Sequence, residues 1–262
     1  MEMIDKRAHF KQRLDQLQEV IMGGLACYAV WNKLRLHDPA DVPWSLERQN
    51  QVLGRWRGLF TPAGAALQQM ALLEFAKVFD TDRRTASLVV LLEEARNDMS
   101  LVPHGTASDL DGVSARLKQA EHTLDTIKTL RNRRLAHSDA RPQSLPPLMN
   151  SSIDNLAEDI KYAFNRLSSV HDRNVFSWDY AIRTSVEHTV DVLSILLKEI
   201  DRKREEFDDK MVDIALGETE RIKLASGGPL QEDEVEYVVD QFNLTDEQEV
   251  RFRAVLKSDA GH

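Results

Sequence analysis

Phe10, Leu14, Leu17, Ile21, Leu25 and Tyr28 recur at intervals of three and four residues, so on a helix they share one face for about five turns. The spacing predicts a single long helix over residues 4–36, and a stripe of that length must be covered by other elements. The same spacing returns in Leu117, Ala120, Leu124 and Ile127, in Ile153, Leu156, Ile160, Phe164 and Leu167, and in Ile182, Val186, Leu193 and Ile200. Strand-like alternation is almost absent, and Gly and Pro number only 11 and 8 in 262 residues. The expectation is an all-α fold: an up-and-down helical bundle of long helices with a mobile acidic C-terminal tail.

Punctuation sets the expected boundaries. His37-Asp38-Pro39 ends the first helix, a second runs from about Ser45 to Phe60, and Thr61-Pro62 reads as an N-cap with proline at the first position of a third. Leu88, Leu91 and Leu92 mark a fourth helix, residues 99–112 a loop, and Ser151-Ser152-Ile153-Asp154 a capping box. The last long helix is expected at about 177–208. Residues 1–210 form the helical domain in this reading, 211–230 a linker built around Ala225-Ser226-Gly227-Gly228-Pro229, and 231–262 an acidic tail with one short helix capped by Thr245-Asp246-Glu247-Gln248.

Charge narrows the function classes. Net charge is −9, and residues 231–262 carry nine acids against Arg251, Arg253 and Lys257. The rest is nearly neutral, which argues against a non-specific nucleic-acid binder. No uncharged stretch reaches the ~18–20 residues of a membrane span. The N-terminus lacks the basic-then-apolar order of a secretory signal, and Cys27 is the single cysteine, so the expectation is a cytoplasmic protein away from membranes. Spaced His/Cys clusters and glycine-rich phosphate loops are missing from the sequence, so neither a metal nor another cofactor is expected. Locally, Lys128, Arg131, Arg133, Arg134 and Arg141 face only Asp139, a basic island in an acidic chain. The tail either solubilises the chain or lies over this island and masks it.

The face of Leu117, Ala120, Leu124 and Ile127 continues into Arg131 and Arg134. Guanidinium groups on a core stripe are costly unless an anion meets them. An Arg followed by a His after four to six residues occurs five times, in Arg116/His122, Arg131/His137, Arg133/His137, Arg166/His171 and Arg183/His188, where chance gives about two, so counting does not choose among them. Position does. His122 and His188 fall opposite apolar faces and His171 ends a helix, whereas Arg131 sits on a core face, is followed by Asn132 and leads to His137 at a helix end before a proline-bearing loop.

Arg131-Asn132-Arg133-Arg134-Leu135-Ala136-His137-Ser138-Asp139 resembles the signature of the HEPN superfamily: Arg, a polar residue, a short spacer, then His. The Leu-Ala-His-x-Asp ending is most similar to the AbiU-like abortive-infection branch, and Phe79 to Leu88 resembles the same branch less specifically. The similarity spans roughly residues 5–205 as a helical layout, and the acidic tail has no counterpart. It implies a dimerising helical bundle that in many members cuts RNA without a metal ion. By position, Arg131 would bind the phosphate, Asn132 would orient, and His137 would be the acid/base. Arg133 and Arg134 would add charge against the substrate, and Asp139 would orient His137. Many relatives have lost catalysis and serve as nucleotide-binding or scaffolding domains.

The residue types suit that chemistry on their own terms. RNA cleavage by its own 2′-hydroxyl needs a base and positive charge on the strained phosphate. Histidine titrates near neutrality, and guanidinium matches phosphate oxygens as a planar fork. Arg131 and His137 are six residues apart, about 120° around an ideal helix. Either the helix unwinds after Arg134, or a homodimer brings Arg131 of one chain to His137 of the other, which is the favoured arrangement. The leading expectation is therefore an RNA-cutting defence or toxin enzyme, for which a cognate antitoxin or inhibitory partner is a further expected contact. The rivals are a non-catalytic dimeric module that binds a nucleotide or protein, and a helical scaffold in which Arg131 pairs internally and His137 caps a helix.

Overall fold

A computed structural model describes residues 2–35, 44–130 and 148–259, with side chains from residue 6 to residue 258. Among these residues there are nine α-helices and no strand: α1 (Glu2–Leu34), α2 (Leu46–Arg55), α3 (Arg57–Val78), α4 (Leu88–Asn97), α5 (Ala107–Leu130), α6 (Asn150–Asp172), α7 (Trp178–Ser226), α8 (Glu232–Phe242) and α9 (Asp246–Asp259). None is long and apolar enough to cross a membrane. The chain divides into two compact units, Met1–Asp191 and Val192–His262, and α7 contributes to both.

In the first unit the α1 stripe organises the core. All six residues from Phe10 to Tyr28 are buried, joined by Trp31, against Phe75, Leu91, Leu110, Leu124, Phe164 and Trp178. α1 packs along α3, and α5 along α6. The stripes expected in α4, α5 and α6 are buried as their spacing requires. Arg116 Nη1 donates to Asp159 Oδ1 at 3.1 Å and Arg166 pairs with Asp109. As α5 positions fall from 116 to 109, their partners in α6 rise from 159 to 166, so the two helices run antiparallel.

Several boundaries differ from expectation. The break between α2 and α3 lies at Trp56, whose φ −109° and ψ 36° leave the helical path, and not at Thr61. Pro62 therefore sits inside α3 and leaves the Gly58 carbonyl without its helical donor. α5 starts at Ala107, before Gly112, because Thr106 and Asp109 make a reciprocal cap: the Thr106 amide donates to Asp109 Oδ2 at 2.7 Å and the Asp109 amide to Thr106 Oγ1 at 3.4 Å. α6 starts at Asn150 with no side-chain cap on Met149, and Asp154, expected in a capping box, instead accepts the Tyr28 hydroxyl. In α7 only Leu193 of the four expected core residues is buried, Ile182, Val186 and Ile200 being half-buried.

The second unit replaces the expected linker and mobile tail. Residues 211–226 continue α7, and the chain turns only at Gly227, whose φ of +69° suits glycine and whose amide caps Lys223 O at 3.0 Å. Two helices follow where one was expected. Val235, Val238 and Phe252 close over Val212 and Ala215, with Leu230, Phe242 and Leu256 around them. The capping residues at 245–248 behave as their sequence suggests, since Thr245 N donates to Gln248 Oε1 at 2.9 Å and Gln248 N to Thr245 Oγ1 at 3.4 Å.

Candidate functional site

Arg131, Asn132, Arg133, Arg134, His137 and Asp139 all lie outside the described residues. What the structure describes is the pair of helices that leads to and from them. α5 ends at Leu130 with Ile127 buried, and α6 begins at Asn150. Because α5 and α6 are antiparallel, both of those ends lie at the same end of the helix pair.

The three competing Arg/His pairs have structural uses. Arg116 bonds Asp159 and lies over the Tyr162 ring at 5.0 Å, Arg166 bonds Asp109, and Arg183 lies over the Tyr180 ring at 5.2 Å. His122 and His188 are exposed, as their positions on the helices require. His171 does more than end a helix: it is buried, its Nδ1 lies 2.6 Å from Leu101 O, and its ring packs on Phe10 at 5.1 Å. A buried histidine with a carbonyl partner and an aromatic neighbour is a core residue.

The segment Phe79 to Leu88 is tightly held. Arg13, 8% exposed on α1, donates to Glu94 of α4 and, through Nη2, to the Thr85 carbonyl at 2.5 Å. Ser87 caps α4 by accepting the Val90 amide at 3.2 Å and donates to Asp80 O at 2.5 Å. Arg84 forks onto Asp82, its Nη2 lying 2.6 Å from Oδ2, and this holds the Asp82 carboxyl below the usual carboxylate range. Arg83 and Arg84 stay largely exposed although each has an acidic partner, Glu93 and Asp82.

This segment forms one side of a surface groove of about 440 Å³. Phe79 and Thr81 stand at one wall, Glu93 and Arg96 of α4 line it, and Lys118, Glu121 and Lys128 of α5 complete it. Arg96 is tied to Asp111 at 2.6 Å, and Lys128 lies 4.0 Å from Asp125. Lys128, in the last turn of α5, is three residues before Arg131 in the sequence. The sequence reading overlooked this wall. Its signal was the spacing of Lys118, Glu121 and Lys128, separated by three and then seven residues along the margin of the α5 core stripe.

No curated protein and no solved structure matches the chain. The HEPN family model described as AbiU2 matches residues 7–192, which covers the first unit almost end to end and includes the groove and the Arg131–His137 motif. The chain therefore belongs to the AbiU2 family of HEPN proteins.

Proposed function

We propose that the protein is a metal-independent endoribonuclease of an abortive-infection or toxin system. The observation that carries this reading is Arg131-Asn132 followed by His137 directly after α5, in a chain of an abortive-infection HEPN family. In the proposed reaction His137 takes the proton of a ribose 2′-hydroxyl, and the 2′-oxygen attacks the adjacent phosphorus. The 5′-oxygen leaves and is protonated, giving a cyclic phosphate end and a 5′-hydroxyl end. Arg131 stabilises the extra negative charge on the phosphate, Asn132 orients it, Arg133 and Arg134 hold the flanking backbone, and Asp139 fixes the imidazole. Two chains supply the complete site, Arg131 from one and His137 from the other.

The test is purified protein with RNA in the presence of EDTA. Cleavage is expected to persist, to fall ~10²–10⁴-fold in His137→Ala, and to stop when the ribose at the cleaved position lacks its 2′-hydroxyl. Cleavage unchanged in both His137→Ala and Arg131→Ala removes the proposal. RNA that is bound but left intact, with binding lost in Arg131→Ala, establishes the non-catalytic binding module instead.

A further inference from the structure

We infer that residues 192–217 of α7 form a self-complementary surface that pairs antiparallel with α7 of a second copy. At 100° per residue, Val192, Ile195, Glu199, Lys203, Glu206, Lys210, Ile214 and Gly217 fall within about 50° of one line along the helix. Leu193, Leu197, Val212, Ala215 and Thr219 are buried and lie on the opposite side. The outward stripe is apolar at both ends and open: Val192 is 51% exposed, Ile195 63% and Ile214 44%, with Phe207 beside it at 59%. Five of the six residues from Val192 to Leu197 are apolar, which makes this stretch hydrophobic on nearly all sides. Such a helix segment is stable when covered on more than one face.

Charge identifies the occupant. Set a two-fold axis beside Arg204 and Glu205, with the helices antiparallel. Glu199 then faces Lys210 of the second copy and Lys203 faces Glu206. Ile214 packs against Ile195 and Leu196, Phe207 lies beside Ile200, and Val192 meets Gly217. A parallel pairing would set Glu199, Lys203, Glu206 and Lys210 each against its own copy, so like charges select against it. Within one chain Arg202 already bonds Glu199 at 2.8 Å and Glu206, which holds both carboxylates on this side of the helix. Gly217 lies inside α7 with open space where a Cβ would stand. A helix-interior glycine costs about 1 kcal/mol relative to alanine, and here it permits the second backbone to approach. The stripe is about 38 Å long, enough for two helices to bury on the order of the ~1,000 Å² that a specific contact needs.

The proposed nuclease site also needs two chains, so a dimer mass alone serves both readings; the dependence of that mass on α7 variants, which lie outside residues 131–139, tests this inference separately from cleavage. Sedimentation equilibrium of the full chain is expected to give a dimer. Ile195→Glu/Ile214→Glu should raise the dimer dissociation constant ~100-fold or more with helicity unchanged. Glu199→Lys alone should weaken the dimer, and Glu199→Lys/Lys210→Glu should restore it, which a folding defect would not do. A wild-type monomer at ~100 µM, above the micromolar affinity of even a weak specific dimer, overturns the inference. So does a dimer indifferent to Ile195→Glu/Ile214→Glu, or a charge swap that fails to restore pairing.

Discussion

At the residue scale, Arg13 shows what spacing arguments miss. It lies at the margin of the α1 stripe, three residues after Phe10 and four before Leu17, and spacing alone does not say what a cation there would meet. In the fold it is buried and serves a carboxylate and a loop carbonyl at once, pinning residues 79–88 to α1. Removing it leaves the Thr85 carbonyl without its donor and Glu94 without its cation. Because Glu94 is 37% exposed, the carboxylate regains some hydration, and the expected cost of Arg13→Leu is about 2 kcal/mol, below that of a fully buried pair. Arg13→Lys should recover less than half, since a single ammonium does not reproduce the planar fork. Urea denaturation measures both, and a loss under ~0.5 kcal/mol for Arg13→Leu would class the contact with surface pairs. The Arg/His pairs teach the converse. Sequence position excluded Arg116/His122 and Arg183/His188 on sound grounds, whereas the burial of His171 depended on Leu101 and Phe10, which are 70 and 161 positions away along the chain.

At the element scale, helices whose stripe meets a continuous partner were legible. α1, α4, α5 and α6 bury the residues their spacing selects, because periodicity records a face and the bundle covers that face. α7 was misread because periodicity does not record whether a partner is present in the same chain. Helix starts were misread where Pro62 and Gly112 were taken as boundaries, although each is accommodated inside a helix at the cost of one hydrogen bond or some backbone entropy. The approach of α5 to α6 also depends on a glycine. A Cβ at Gly105 would stand 2.6 Å from Val170 Cβ, next to a His104 amide bond to Val170 O at 3.0 Å. Gly105→Ala should therefore destabilise the first unit by about 2 kcal/mol, within the range for overpacking. Val170→Gly, which removes the Cβ itself, should cost about 3 kcal/mol alone, at the upper end for single substitutions. The double variant should be more stable than the sum of the two losses, a non-additivity that thermal denaturation of all four proteins measures. Additive losses would show that the two sites do not press on each other.

At the scale of the whole molecule, the acidic C-terminal region was legible as charge but not as structure. Eight acids and no base between Glu232 and Glu249 suggested a solvated tail, while Val235, Val238, Phe252 and Leu256 at helical spacing carried the fold. Buried Gln248 anchors it: Nε2 donates to Asp208 Oδ1 of α7 at 2.7 Å while Oε1 caps α9. Deleting residues 225–262 would therefore strip Val212 and Ala215 of their cover, so a change in activity after such a deletion would not isolate charge. The separating experiment neutralises exposed acids of α8 and keeps its apolar face, as Asp233→Asn/Glu236→Gln/Asp240→Asn. Residues 231–262 hold six of the nine net negative charges, and a field of that sign slows an approaching polyanion over about one Debye length, ~10 Å at 0.1 M salt. If the proposed RNA substrate is right, the triple variant is expected to associate with RNA several-fold faster at ~0.05 M salt and at the wild-type rate at ~0.5 M, where screening removes the difference. Stopped-flow association at the two ionic strengths makes the measurement. Equal rates at low salt would assign these carboxylates to their own helices, where Glu232, Asp233 and Glu234 sit at the positive end of α8.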